Sequence, residues 1–425
     1  LAHLQNLKKA KEFYDNSQTI TALDFDCSGE FCVTASTDET INLYNCLTGR
    51  HESFSVSKKY GVHLTRFTHS SSEIVYASTK GNDTLRYLSL RDNQFIRYFR
   101  GHQSRVVALE MSPIDDQFLT GSIDEGVRLW DLRQPNSIDF IDIQSGRPCL
   151  GYDPSGLVFA IGKRSNKTVQ LYDSRKFGQS PFDTFQIDDK YVDSSGLSSP
   201  PPEWTGLKFS NDGQKILITT SGDVHYLVDA FNGQLKQRLI GHVGLDNASA
   251  CLGGEETSFT PDGQYVISGS RDGFVVIWDT TKSIDSSNTP SENIDLRPIY
   301  TLNHHVRPTQ VTRFNPTKLL MISACTDLVF WLPSVDPNDI VKESEDNKPC
   351  LSSGDTVNET SSIQMQVTAS TSSSVSNSLL GPVHCSFSHI ILRRGSALFG
   401  TKLAKFPYLV FYAATLAVYY YARRN

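Results

Sequence analysis

The chain has 425 residues, 38% of them hydrophobic and 20% charged, with 40 basic against 46 acidic side chains and a net charge of -6. This ordinary globular mix excludes collagen, a coiled coil and a polytopic membrane protein, and it leaves no broad cationic surface that could release counterions from a duplex, so direct sequence-specific nucleic-acid binding is not expected. The eight cysteines, at 27, 32, 46, 149, 251, 325, 350 and 385, form no CxxC pair, which favours scattered thiols in a reducing compartment over a disulfide framework.

In chain order, residues 1–16 open on Leu1, show no secretory leader, and carry a short run around Lys8–Tyr14. Seven times thereafter an apolar alternating run ends in an aromatic or Met and meets a polar turn. The junctions are Phe25 before D-C-S-G, Phe67 before T-H-S-S, Met111 before S-P-I-D, Tyr152 before D-P-S-G, Phe209 before S-N-D-G, Phe259 before T-P-D-G and Phe314 before N-P-T-K. Pro, Asp, Asn and Gly each bend a chain by a mechanism of their own, so these are turns rather than merely polar stretches. A second β-rich run follows each junction and ends at Asp38, Asp83, Asp124, Asn166, Asp223, Asp272 and Asp327 in turn. The acids lie 45, 41, 42, 57, 49 and 55 residues apart, near the period of about 40–45 for a four-stranded blade plus loops. The long intervals carry insertions at Gln186–Glu203 and Lys282–Pro298.

Gly101–His102 and Trp130–Asp131 bracket the third repeat, and Gly241–His242 with Trp278–Asp279 bracket the sixth. The chain resembles an all-β, seven-bladed WD-repeat β-propeller over residues 1–335. In such a blade a His, a strand hydroxyl, the Asp and the Trp form a buried hydrogen-bonded network. That network is His102, Thr120 or Ser122, Asp124 and Trp130 in the third blade, and His242, Ser268 or Ser270, Asp272 and Trp278 in the sixth. A catalytic-triad reading of the same residues fails, because a structural network explains all four and recurs in part around the ring. The remaining closure requirement, that no sheet edge stay open, predicts that Lys8–Tyr14 pairs with the run near Leu328–Leu332.

No G-x-S-x-G, H-E-x-x-H or G-x-G-x-x-G occurs, and Gly156–Lys163 misses the phosphate-loop spacing and reads as a strand. His304–His305 stands where other repeats carry G-H, which favours a blade role over a metal site. No enzyme activity and no cofactor are expected.

Longer strings are more specific: S-K-K-Y-G-V at Ser57–Val62, T-L-R-Y-L-S-L at Thr84–Leu90, I-R-Y-F-R-G-H at Ile96–His102, R-V-V-A-L at Arg105–Leu109, L-W-D-L-R at Leu129–Arg133, E-W-T-G-L-K-F-S-N-D-G at Glu203–Gly213 and F-W-L-P at Phe330–Pro333. Together they are similar to the WD-repeat subunit shared by COMPASS-type histone methyltransferase complexes and, in fungi, the cleavage and polyadenylation factor. The resemblance implies a nuclear, non-catalytic adaptor that docks a methyltransferase segment, links it to the RNA polymerase II C-terminal domain, and serves 3′-end processing and transcription termination. A phosphate-bearing polymerase tail needs basic residues on the ring's open face, and repeat phase puts Lys59, Arg105, Arg271 and Arg307 there as candidate partner contacts.

The end of the chain differs. Within Leu351–Leu380, 14 of 30 residues are Ser or Thr, and disorder is the expectation for residues 336–390. Residues 391–425 are basic and apolar, with an uncharged run at Phe406–Ala422 flanked by Arg393, Arg394, Lys402, Lys405, Arg423 and Arg424. Seventeen apolar residues stand at the lower edge for a membrane-spanning helix. Three readings stay open for this short apolar helix: a membrane anchor, which would make the chain a membrane-tethered interaction protein; a fused or frame-shifted tail; and a partner-binding helix.

Overall fold

A computed structural model describes residues 2–123, 126–143, 146–188, 202–245, 253–282 and 294–334. The chain divides into two units, Leu1–Lys348 and Pro349–Asn425, and every described residue belongs to the first. The second unit holds most of the expected disordered stretch and the whole basic, apolar segment, so those expectations lie outside the described residues.

The first unit is a ring of seven antiparallel β-sheets, the propeller expected from the repeat. Blade 1 runs through Ile20–Phe25, Phe31–Ser36, Thr40–Asn45 and Arg50–Val56, and blade 2 through His63–Phe67, Glu73–Ala77, Leu85–Ser89 and Gln94–Phe99. Blade 3 comprises Val106–Met111, Gln117–Ser122, Gly126–Asp131 and Asp139–Asp142; blade 4 comprises Pro148–Tyr152, Val158–Lys163, Thr168–Asp173 and Asp183–Gln186. Blade 5 has Trp204–Phe209, Lys215–Thr220, Val224–Asp229 and Leu235–Ile240, and blade 6 has Thr257–Phe259, Tyr265–Gly269, Phe274–Asp279 and Tyr300–Asn303.

Blade 7 takes three strands, Val311–Phe314, Met321–Ala324 and Leu328–Pro333, from one end of the ring and its outer strand, Leu7–Phe13, from the other. The closing pairing is antiparallel, from Leu7 opposite Pro333 to Phe13 opposite Leu328, with a bulge between Lys9 and Lys11. Apolar anchors seat it: the Phe13 ring lies 4.8 Å from Tyr44 of blade 1 and 5.2 Å from Phe330 of blade 7.

The strand sequences follow from position in the ring. Inner strands are covered by neighbouring blades on both faces and read as nearly continuous buried runs, such as I-T-A-L-D-F in blade 1. Outer strands alternate or stay exposed, as Arg50–Val56 does. The tight turn after the inner strand is built the same way in four blades: Gly29, Gly156, Gly213 and Gly263 hold φ between 66° and 68°, where a Cβ would be strained. In blade 1, Asp26 anchors that turn by accepting from the Phe31 amide at 2.8 Å. The near-miss phosphate loop is this turn plus the second strand of blade 4, Val158–Lys163.

Candidate interaction face and plugged channel

The hydrogen-bonded network takes different forms in different blades. In blade 3 the shared hydroxyl is Thr120: His102 Nε2 lies 2.7 Å from its Oγ1, and Trp130 Nε1 donates to the same oxygen at 2.7 Å. Ser122 donates to the carbonyls of Ser104 and Arg105 at 2.7 and 3.0 Å, anchoring the loop that enters the blade. Of the two hydroxyls left open by the sequence, Thr120 therefore takes the His–Trp position. Asp124 lies outside the described residues. Blade 7 repeats the arrangement: His305 Nε2 stands 2.7 Å from Ser323 Oγ, to which Trp331 Nε1 donates at 2.7 Å. His304 turns the other way, to Glu12 Oε1 of the closing strand at 2.9 Å.

Blade 6 departs from the expected network of His242, Ser268 or Ser270, and Trp278. His242 Nε2 faces the Gly222 carbonyl at 3.0 Å, and Trp278 Nε1 donates to the Ile240 carbonyl at 2.9 Å. The cause is His225 of blade 5, whose ring stacks on His242 with centroids 4.0 Å apart and whose Nε2 lies 3.1 Å from Ser268 Oγ. Ser270 accepts from the Val243 amide at 2.9 Å, and Asp272 from the Phe274 amide at 3.2 Å, so both shape turns. A signal for this departure was in the sequence: His225 occupies the strand position held by Ile41, Val127, Val169 and Val275 in other blades. Burial, with a smaller push from His242, drives the His225 ring well below the usual histidine range; burial also lowers His242 to about 4, against the Gly222 carbonyl.

A charged cluster in the central channel was not anticipated. The residue before each junction, Asp24, Arg66, Glu110, Gly151, Lys208, Ser258 and Arg313, occupies one phase of the repeat, and the charged ones gather around Glu255. Arg66 Nη2 lies 2.5 Å from Glu255 Oε1 and 3.1 Å from Glu110 Oε1. Arg313 reaches Asp24 at 3.2 Å and Glu255 at 3.5 Å. Burial raises the Glu255 carboxyl, but the Arg66, Lys208 and Arg313 charges outweigh it and hold it at about 2. Burial also pushes the Lys208 ammonium down to about 8, opposed by Glu255. The loop carrying Glu255 reaches across to blade 2, because a Cβ on Gly253 would stand 2.5 Å from Leu64 Cδ2. Side chains of blades 1, 2, 3 and 7 thus meet the Glu255 loop in one cluster. The readable signal was seven positions in one phase of the repeat, five of them charged and of both signs.

One face of the ring is defined by a recurring backbone bond. The turn between the second and third strands donates to the loop before the inner strand: Thr37 to Thr19, Thr79 to Tyr60, Ile123 to Arg105, Ser221 to Glu203 and Arg271 to Val243, all at 2.9–3.1 Å. Lys59, Arg105, Arg271 and Arg307 all belong to these loops and turns. Lys59, Arg271 and Arg307 are exposed and Arg105 is half-buried. The turn carrying Arg271 runs beside the loop carrying Arg307, since a Cβ on Gly273 would stand 3.3 Å from the Arg307 carbonyl oxygen. Lys59 and Arg105 stand on the loops into blades 2 and 3, with Lys59 Nζ 5.2 Å from the Tyr60 ring. All four thus stand on loops or turns of one face.

The family described as WD domain, G-beta repeat matches residues 7–45, 93–131 and 233–279. Each match starts on or just before one blade's outer strand and ends on the third strand of the next. The chain is 42% identical over 332 residues to "WD repeat-containing protein 82" of Drosophila melanogaster, spanning 78% of this chain and 96% of that one. It is 36% identical over 345 residues to "COMPASS component SWD2" of Saccharomyces cerevisiae, with the same coverage of 78% and 96%. It is 31% identical over 345 residues to "Set1 complex component swd2" of Schizosaccharomyces pombe, covering 73% and 92%. The chain belongs to this family of WD-repeat proteins. The WD-repeat propeller and relatives named as complex components make it a non-catalytic scaffold. Among the described residues no helix is long and apolar enough to cross a membrane, and the Phe406–Ala422 run lies outside them.

Proposed function

We propose that this chain is the WD-repeat scaffold subunit of a nuclear, chromatin-associated Set1-type histone H3 lysine methyltransferase complex. It docks the methyltransferase subunit, links the complex to the RNA polymerase II C-terminal domain, and serves the factors of mRNA 3′-end processing and termination. The observation that carries this reading is the similarity, along nearly the whole propeller, to relatives named as COMPASS and Set1 complex components. The polymerase and 3′-end roles rest on the strings that resemble the shared subunit and on the basic residues of one face. On a propeller disc partners are held by loops and edges, and a phosphorylated or acidic tail finds Arg105, Lys59, Arg271 and Arg307 on loops of a single side.

The test is affinity purification of the full-length chain from cells, with mass spectrometry of what accompanies it. The expected result is the methyltransferase subunit together with 3′-end factors. Arg105→Glu with Arg271→Glu should reduce those partners at least fivefold while the melting curve of the purified chain stays unchanged. Intact recovery by the double variant removes these arginines from the interface. Recovery of the chain in a carbonate-resistant membrane pellet, without chromatin proteins, refutes the nuclear assignment.

A further inference from the structure

Every outer strand of a propeller ends a sheet, so its free edge offers unpaired N–H and C=O groups to any extended chain nearby. Two edges of this ring are settled. Blade 7 ends in the closing strand, whose exposed Lys8, Lys9 and Lys11 blunt it against further pairing. Blade 5 is completed by the protein itself: Asp295–Leu296 lies parallel to Leu235–Ile240, and the Arg238 amide donates to the Ile294 carbonyl at 2.8 Å. There Asp295 pairs with Arg238 at 3.3 Å, and Leu296 is buried in a cluster with Leu239 and Trp278. An apolar–acidic–apolar segment, I-D-L, thus sits on an outer strand that mixes apolar and basic residues, L-K-Q-R-L-I.

Blade 2 offers a strand of the same kind without such a cover. Its outer strand is Q-F-I-R-Y-F, and among the described residues nothing pairs with its free edge. Phe95, Ile96 and Tyr98 are 39%, 45% and 39% exposed. The Phe95 and Tyr98 rings are fixed rather than loose. Phe95 lies 5.4 Å from Tyr98 and 6.5 Å from Tyr60, and the buried Arg86 guanidinium sits 3.4 Å from the Tyr60 centroid and 5.2 Å from Tyr98, held by Ser78 Oγ at 2.8 Å. The edge of blade 1 adjoins it through the Ser55–Asn93 side-chain bond of 2.7 Å. Along the chain from Arg86 to Arg100 there are four arginines and a single acid, Asp92; Arg86 is buried on Tyr60 and Arg97 donates to the Leu132 carbonyl near Asp131, while Arg91 and Arg100 are exposed.

We propose that the outer edge of blade 2, with the adjoining edge of blade 1, receives an extended partner segment of alternating apolar and acidic residues that adds to the sheet as a further strand. Backbone pairing supplies the affinity of such an addition, and side chains flanking the edge select the sequence. The Ile294–Leu296 segment on blade 5 is the internal template for that ligand, and the exposed Arg91 and Arg100 favour its acids. This surface is separate from the basic face bearing Arg105 and Arg271, and it needs no particular choice of complex.

The experiment uses the full-length chain, alone and in the complex purified through it. Amide exchange across Gln94–Phe99 should be at least tenfold slower in the complex than in the isolated chain. A photoreactive phenylalanine analogue at Ile96 should crosslink to one subunit, at a stretch where acids flank apolar residues. Ile96→Glu should then lose that subunit at least tenfold, whereas Ile96→Lys retains it. Unchanged exchange, or unchanged recovery with both variants, overturns the proposal. Equal loss with Glu and Lys overturns the acidic character of the ligand, and a crosslink to a basic or helical stretch does the same. Slow exchange already present in the isolated chain means that its own tail or a second copy covers the edge, and it overturns the partner.

Discussion

Glu255 keeps a full negative charge at 1% exposure because two arginines from the blades flanking blade 1, Arg66 of blade 2 and Arg313 of blade 7, meet it. An ion pair so placed adds little over a well-packed apolar pair, yet losing one partner leaves a buried charge uncompensated. Arg66→Leu should therefore cost about 3–5 kcal/mol in urea unfolding, and Arg66→Leu with Glu255→Leu should recover most of it. A double variant as unstable as the single one would show that Arg66 works through Glu110 instead. His305 makes a pH prediction on similar grounds. Burial, aided by His304, lowers its ring to about 4, as burial lowers His242, so both are neutral in the fold. The unfolded chain takes up those protons near pH 6.5, so stability is full above that value and falls by about 1.4 kcal/mol per pH unit per ring toward pH 4. Urea midpoints between pH 7 and 4.5 should show this slope, and His305→Gln should flatten it. An equal slope in the variant removes His305 from the account. At this scale the sequence was legible only where chemistry repeats. It marked His102 and Trp130 but left Thr120 and Ser122 open, because both hydroxyls lie on one strand and only three-dimensional packing decides which meets the ring.

At the scale of the element, the junction aromatics and turn glycines were readable because covalent geometry imposes them wherever an inner strand must reverse. Outer strands were harder to read. Exposed on one face, they carry no fixed apolar period, and the family match itself shows the difficulty by starting each repeat on the preceding blade's outer strand. The fifth strand of blade 5 was not legible at all. Asp295–Leu296 is two residues long, lies in a stretch that reads as an insertion, and pairs in parallel with a strand more than fifty residues earlier. Its contribution is still measurable. Leu296→Ala should cost about 2 kcal/mol, and amide exchange should quicken along Leu235–Ile240 while the outer strand of blade 3 is unaffected. If exchange in blade 5 does not change, the added strand contributes no protection there.

At the scale of the whole molecule, each blade contacts its two neighbours, and the ring gains only where its ends meet. That meeting is a single strand pairing plus a few anchors. Phe13 bridges Tyr44 and Phe330, and His304 reaches Glu12. The central cluster ties the same region a second time, because Arg313 of blade 7 holds both Asp24 of blade 1 and Glu255. Two independent ties at one seam imply that loosening either one opens the ring locally before it unfolds globally. Phe13→Ala removes a buried aromatic and should cost about 3–5 kcal/mol in total stability. Its more telling effect is spatial. Amides of Val311–Pro333 and of blade 1 should exchange faster, by a factor that grows further when Arg313→Leu is added, while blade 4, on the far side, keeps its protection. Acceleration spread evenly around the ring would instead mean that the propeller opens as one cooperative unit, with no seam where amino-terminal strand and last blade join.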